Sequence, residues 1–315
     1  MRFLRLRWLL LLLLVLGSIA AVYVFLHKQR LSADYLAEGH ALARQGRHRS
    51  ALGDFTLAIL LSPNEHAGYL ARARAYEALQ MPAAAVEDLG EAIHRAPHDP
   101  ELHFLRGLLL MEPLQRYAEA VRDFDTVIAL RPGNAQAYYR RGRAYDLINN
   151  PHQAVKDYTR ALELDPTLTE AWLERASIRG HFRETDLQIA DLTAALRLRP
   201  DATRLYSQRG KAYMAKRAFA EALADFNRVL AVEHNINDTF QRGTANLNLR
   251  RFQAAIVDFT RVIRAHPYAT AAYYNRARAY AALGDTKRAH DDWAAVCEID
   301  SHAQTEACFR AQAGR

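Results

Sequence analysis

The sequence has little glycine and little proline, 14 and 10 residues among 315, which excludes a collagen-like or linker-rich chain. Alternating runs of Val, Ile and Thr are few, while Ala, Leu and Arg dominate, so the expectation is a strongly helical protein. Lysine is scarce, five residues against 37 arginines, which points to a GC-rich, bacterial genome. No acidic residue precedes Asp34. Arg2, Arg5, Arg7, Lys28 and Arg30 lie in or beside that stretch and supply most of the formal net charge of +7. The remainder is nearly balanced, which argues against nucleic acid as a partner, since that requires a net basic face. There is no phosphate loop, no nucleophile elbow and no metal-ligand pair on a helix. The expectation is no enzyme, no cofactor and no metal site. His94, His98 and His103 cluster, but they straddle the break at Pro97 and Pro100 and read as polar turn residues.

One long apolar run stands apart from the rest. Residues 8–26, WLLLLLLVLGSIAAVYVFL, carry no charge. As a helix rising about 1.5 Å per residue the run spans about 28 Å, close to the roughly 30 Å of a bilayer core. A cleaved signal peptide has a shorter apolar region and a small-x-small site. Ser18-Ile19-Ala20 could serve, but the run continues past it. A buried soluble helix is the remaining alternative. The preferred reading is an uncleaved signal anchor over residues 1–30, making a single-pass membrane protein. Three arginines before the span favour a cytoplasmic N-terminus and an exported body, with Lys28 and Arg30 pulling the other way.

The body repeats itself. Aspartate recurs at 54, 88, 123, 157, 191, 225, 258 and 292, and proline at 63, 97, 132, 166, 200 and 267. The period is close to 34 residues. Each unit reads as two helices. The first carries an aromatic, Arg, Gly or Ala, and usually Tyr at steps of three and four, as in Tyr138, Arg141, Gly142 and Tyr145. After a polar turn such as Asn149-Asn150-Pro151, the second carries Ala154, Tyr158 and Ala161. Pro166 closes the unit, because proline cannot continue a helix interior. Neither helix buries its apolar face alone, so stacked neighbours supply the partner.

This pattern resembles the tetratricopeptide repeat family, with a small residue at position eight, Ala at twenty, an aromatic at twenty-four, Ala at twenty-seven and Pro at thirty-two. The resemblance covers residues 31–301 in eight units, starting near 32, 66, 100, 135, 169, 203, 236 and 270. The third unit has an extra residue near Glu112-Pro113. The fifth has Gln188 and Leu192 in place of Ala and an aromatic, and the sixth has His234 in place of Pro. The resemblance implies an all-α fold, a right-handed α-α superhelix (solenoid) of about eight helix-turn-helix repeats whose first helices line a concave groove. One transmembrane helix precedes it. Residues 302–315 read as a C-terminal capping helix.

Asp occupies position twenty-three in all eight units and Arg position seven in seven of them, Glu38 standing in the first. If each Asp pairs with the Arg of the following unit, all eight find partners, from Asp54 with Arg72 to Asp292 with Arg310. The expectation is a ladder between units. It makes these charges architectural rather than catalytic.

Function then falls on the varying groove positions that the resemblance implies: Arg74, Tyr139, Arg140, Arg143, Gln208, Lys211, Tyr274, Asn275 and Arg278. They give the groove an aromatic and cationic character suited to an extended or helical peptide with acidic groups. For any one of them a solvated helix face is the competing reading. No three consecutive units carry the two-carboxylate clamp of the family's chaperone-binding members. Cys297 and Cys308 lie about equally far from the turn near residue 302, so antiparallel packing could bring them face to face, with two buried thiols as the competing reading. A disulfide there needs an oxidising compartment. The resulting reading is a scaffold in the bacterial inner membrane, its repeats facing the periplasm, that binds proteins or peptides to assemble or regulate an envelope complex. Self-association stays open. The alternative is a cytosol-facing membrane receptor or co-chaperone for client proteins.

Overall fold

A computed structural model of the protein describes residues 2–299 and Cys308; the side chains described begin at Leu16. The described residues form sixteen α-helices and no strand. They fall into two compact units divided between Asp165 and Pro166. In the first, α1 (Arg2–Arg44) pairs with α2 (His48–Leu61), α3 (His66–Ala78) with α4 (Pro82–Arg95), α5 (Pro100–Met111) with α6 (Tyr117–Leu130), and α7 (Ala135–Leu147) with α8 (Pro151–Leu164). In the second, α9 (Thr169–His181) pairs with α10 (Thr185–Leu198), α11 (Thr203–Ala215) with α12 (Phe219–Leu230), α13 (Ile236–Asn248) with α14 (Phe252–Ala265), and α15 (Thr270–Ala282) with α16 (Thr286–Ile299). Each unit is thus four helical hairpins, one per repeat. The expected cap over 302–315, with Arg310, lies outside the described residues except for Cys308.

The turn inside each hairpin closes in one way. A single residue takes positive φ: Gly46, Gln80, Gln115, Asn149, Arg183, Arg217, Arg250 or Gly284. The following N–H donates back across the helix end, as in Asn150 N to Tyr145 O at 2.8 Å and Ala218 N to Tyr213 O at 2.9 Å. This left-handed closure satisfies carbonyls that the helix end leaves without partners. Most of these residues are not glycine, although an L side chain costs roughly 1–2 kcal/mol in this conformation.

Packing within the hairpin also follows one rule. Ala51, Ala85, Ala120, Ala154, Ala222, Ala255 and Ala289, all at position twenty, are fully buried where the two helices approach. Beside them a large residue at position twenty-four fills the notch left by a small one at position eight. A methyl group added to Gly39, Gly107, Gly142, Gly210 or Gly243 would sit 2.5–2.9 Å from the ring of Phe55, Phe124, Tyr158, Phe226 or Phe259 respectively. Where position eight is Ala73 or Ala176, the partner is the narrower Leu89 or Leu192. Seven hairpins thus conserve volume at this contact, while the eighth carries Ala277 and the larger Trp293 at these positions.

The Arg–Asp ladder runs within repeats, not between them, which corrects the expectation. Arg72 pairs with Asp88, Arg106 with Asp123, Arg141 with Asp157, Arg175 with Asp191, Arg209 with Asp225, Arg242 with Asp258 and Arg276 with Asp292, all at 2.6–2.8 Å. The reason is hairpin geometry. In six of these seven repeats Arg and Asp lie equally far in sequence from the positive-φ turn residue, and in the third within one residue of it, so antiparallel packing sets them side by side. Each Arg gives Nε and Nη2 to its Asp. In five repeats the third nitrogen, Nη1, reaches the preceding hairpin: Arg72 to Thr56, Arg141 to Asp125, Arg209 to Thr193, Arg242 to Asn227 and Arg276 to Thr260. The link between repeats exists, but these residues carry it rather than Asp54 or its counterparts. Tyrosines at positions four and eleven flank the guanidinium, as Tyr138 and Tyr145 do for Arg141 at 5.5 and 5.9 Å. In Arg72, Arg106, Arg141, Arg209 and Arg276 the bonded carboxylate outweighs burial and raises the pKa.

The first thirty residues are not a separate element. α1 continues without a break into the first helix of repeat one, and Ser32 is the first buried residue among its described side chains, donating to Ala58 O at 3.0 Å. The expected membrane span at 8–26 begins in residues 8–15, whose side chains lie outside those described. From Leu16 to Leu26 the helix is exposed. Among the described residues no helix is long and apolar enough to cross a membrane.

Candidate partner-binding face

The first helix of each hairpin presents the positions expected to line a groove. The structure distributes them unequally. In the first unit, Tyr139 is a core residue: it is 8% exposed, and its ring lies 6.0 Å from that of Tyr158. Position five stands one turn before the glycine notch, so its ring slides over the aromatic that fills the notch. Phe104 on Phe124 and Phe240 on Phe259 do the same, each at 5.7 Å. Arg140 and Arg143 converge on Glu112, at 3.0 and 3.1 Å. That carboxylate belongs to the longer turn of repeat three, so the extra residue there supplies a counter-charge to two expected binding groups. Arg74 lies 3.5 Å from Glu101, both half exposed. Beside Glu112 opens a cleft of about 530 Å³, with Glu77, Leu108, Pro113 and Arg140 among its walls.

In the second unit, Gln208 and Lys211 come together. Both line a cleft of about 350 Å³ between α9, α10 and α11, with Ser177, Gly180, His181 and Gln188. Lys211 Nζ is 4.0 Å from Asp238 Oδ1, which also accepts from Ser207 Oγ at 2.7 Å. Asp238 is fully buried, and its Oδ2 has no hydrogen-bond partner among the described residues. Tyr274, Asn275 and Arg278 stand apart on α15, where Arg278 donates to Asn275 Oδ1 at 3.3 Å. Below the cleft, Asp191 takes two guanidinium groups, from Arg175 and Arg179, each at 2.7 Å. Burial pushes the pKa of Arg179 down, and the attraction of Asp191 only partly offsets it.

His103 has a structural place. It is buried, with Nδ1 3.2 Å from Asp123 Oδ1 and Nε2 3.1 Å from Pro97 O. Cys297, on α16, is joined to Cys308 by a disulfide with its Cα atoms 5.5 Å apart. Sequence reasoning missed two features, one behind the second cleft and one in its wall. One is Asp238, whose burial no periodicity marks. The other is Gln188, noted as an irregularity without its partner Gly180 four positions after the usual small residue.

Models of the tetratricopeptide repeat match residues 36–100 and 240–302, and a second model of the same repeat matches 135–168. Together they span about half of the chain. The C-terminal part of a repeat protein from Cytophaga hutchinsonii is 18% identical, with a TM-score of 0.58 over 76% of this chain and 97% of its own. A repeat protein from Parabacteroides merdae is 19% identical, with a TM-score of 0.53 over 79% of this chain and 99% of its own. MamA from Desulfovibrio magneticus is 19% identical, with a TM-score of 0.51 over 55% of this chain and 97% of its own. At these identities the likeness shows the fold alone. No curated protein matches the chain.

Proposed function

The chain is built from tetratricopeptide repeats, which generally mediate protein–protein interactions, and from that premise we propose a membrane-tethered scaffold that holds partner peptides on its first-helix face. The observation that carries this reading is the split between frame and face. In the seven repeats that carry both, the charges at positions seven and twenty-three are consumed within the hairpins, while the cleft in the second unit keeps Gln208 exposed and Lys211 half exposed. The membrane tether is proposed from the uncharged run 8–26. It is supported by the exposure of Ile19, Val22, Tyr23, Phe25 and Leu26, which the described part of the body leaves uncovered. An exported body in the bacterial inner membrane is proposed from the arginines before that run and from a disulfide suited to an oxidising compartment. Assembly or regulation of an envelope complex would follow from that placement.

Two experiments test this. A photo-crosslinking residue at Gln208 or Arg278 is expected to give protein adducts in living cells, while the same residue at exposed Glu221, on a second helix, gives none. Equal adducts at all three positions would overturn the face assignment. Protease added to intact spheroplasts is expected to digest the body; protection would place it in the cytosol.

A further inference from the structure

We propose that the cleft between α9, α10 and α11 reads a carboxylate, taking an acidic side chain of a partner peptide through the Gln188 amide and the Lys211 ammonium. The proposal rests on the peptide-binding reading of this face and gives it a chemical specificity.

Two departures from the repeat pattern combine into one device. Position twenty is a fully buried alanine in seven repeats and Gln188 in the fifth. A glutamine needs room at that contact, and Gly180 provides it: a methyl at Gly180 would sit 2.5 Å from Gln188 Nε2. In the other repeats that place holds Ala43, Glu77, Met111, Asp146, Met214, Leu247 and Ala281. A glycine inside a helix costs up to about 1 kcal/mol relative to alanine. The fold draws no hydrogen bond in return, because the Gln188 side chain has none among the described residues. Its amide passes beside α9 and ends in the cleft wall.

Charge sets the ligand. Arg175 and Arg179 are spent on the buried Asp191, with Glu184 also acting on Arg179, so the cationic group that the cleft wall offers is Lys211. Lys211 is loosely held at 4.0 Å from Asp238 and half exposed, so its ammonium keeps protons to donate. Ser177, Gln208 and Gln188 add neutral donors, and Leu173 and Ala212 give an apolar wall for methylene groups. Donors of this kind beside an exposed ammonium favour a carboxylate over an amide or a cation.

The test uses the full-length protein in detergent micelles and fluorescence anisotropy of labelled nonapeptide pools, random except for a central Glu, Gln or Arg. The Glu pool is expected to bind about tenfold tighter than the Gln pool, the worth of one charge-assisted hydrogen bond. Gln188→Ala, which restores the residue of the other repeats, and Lys211→Gln are each expected to erase that preference. Gly180→Ala, which displaces the amide without changing charge, should do the same. Wild-type preference retained in all three variants, or equal binding of the three pools, would overturn the carboxylate reading and leave the binding face standing. No binding of any pool would overturn the peptide-binding reading itself.

Discussion

Replacing Gly107 by alanine while trimming Phe124 to leucine should reveal how the repeats conserve volume. A methyl at Gly107 would lie 2.9, 3.0 and 3.3 Å from Cε1, Cζ and Cδ1 of Phe124, a ring that is itself fully buried. Overpacking of this kind costs about 1–3 kcal/mol, against a helix-propensity gain of up to about 1 kcal/mol for Gly→Ala. Gly107→Ala alone is therefore expected to destabilise by about 1 kcal/mol. Phe124→Leu alone leaves a void beside the glycine and should cost about 1–2 kcal/mol. The double variant recreates the pairing of Ala73 with Leu89 in the neighbouring repeat, where both residues are 2% exposed. Its cost should fall below the sum of the single costs by about 1–2 kcal/mol, a coupling well above the noise of independent sites. Urea unfolding of the four proteins, followed by far-UV circular dichroism, measures the cycle. Additivity within about 0.5 kcal/mol would refute the volume argument.

Other perturbations probe the charges and turns. Arg209→Leu leaves the Asp225 carboxylate, 6% exposed, without its pair; it should cost about 3–5 kcal/mol in chemical denaturation, and Asp225→Leu added to it should recover much of the loss. An equal loss in both proteins would refute this account. Arg217→Gly relieves an L residue at φ 63° and should stabilise by about 1 kcal/mol, read as a higher denaturation midpoint. Hydrogen bonds from Arg116 hold the Glu119 carboxyl below its ordinary value. The stability it adds is present above the ordinary glutamate range and is lost as pH falls through the depressed folded-state value. An NMR titration should show the low midpoint in the native protein and a return toward the ordinary one in Arg116→Gln; an unchanged midpoint in the variant would contradict the assignment.

Much of the fold was legible in the sequence because it depends on local spacing. The recurrence of Asp at 34-residue intervals located eight hairpins, and their helices fall between the predicted breaks. Small residues at Gly142 and Ala154 marked the close approach of the helices. The exposed apolar run was legible too, though not its continuity with repeat one, since Lys28 and Arg30 interrupt hydropathy without interrupting a helix. Periodicity could not decide which partner each side chain meets. The argument from the lone Glu38 led to pairs between repeats, yet antiparallel hairpins set Arg72 beside Asp88 and left only Nη1 to cross to Thr56. Nor did the spacing show that position five, held by Tyr139, is drawn over the ring of Tyr158, while position six, held by Gln208, stays exposed. Arg140 and Arg143 kept their expected face but met Glu112, brought there by a longer turn. Sequence spacing determines where helices begin, end and turn their apolar sides, because those depend on neighbours a few residues away. Which charges stay available to a partner depends on groups about thirty residues away, and only tertiary packing brings those within hydrogen-bonding distance.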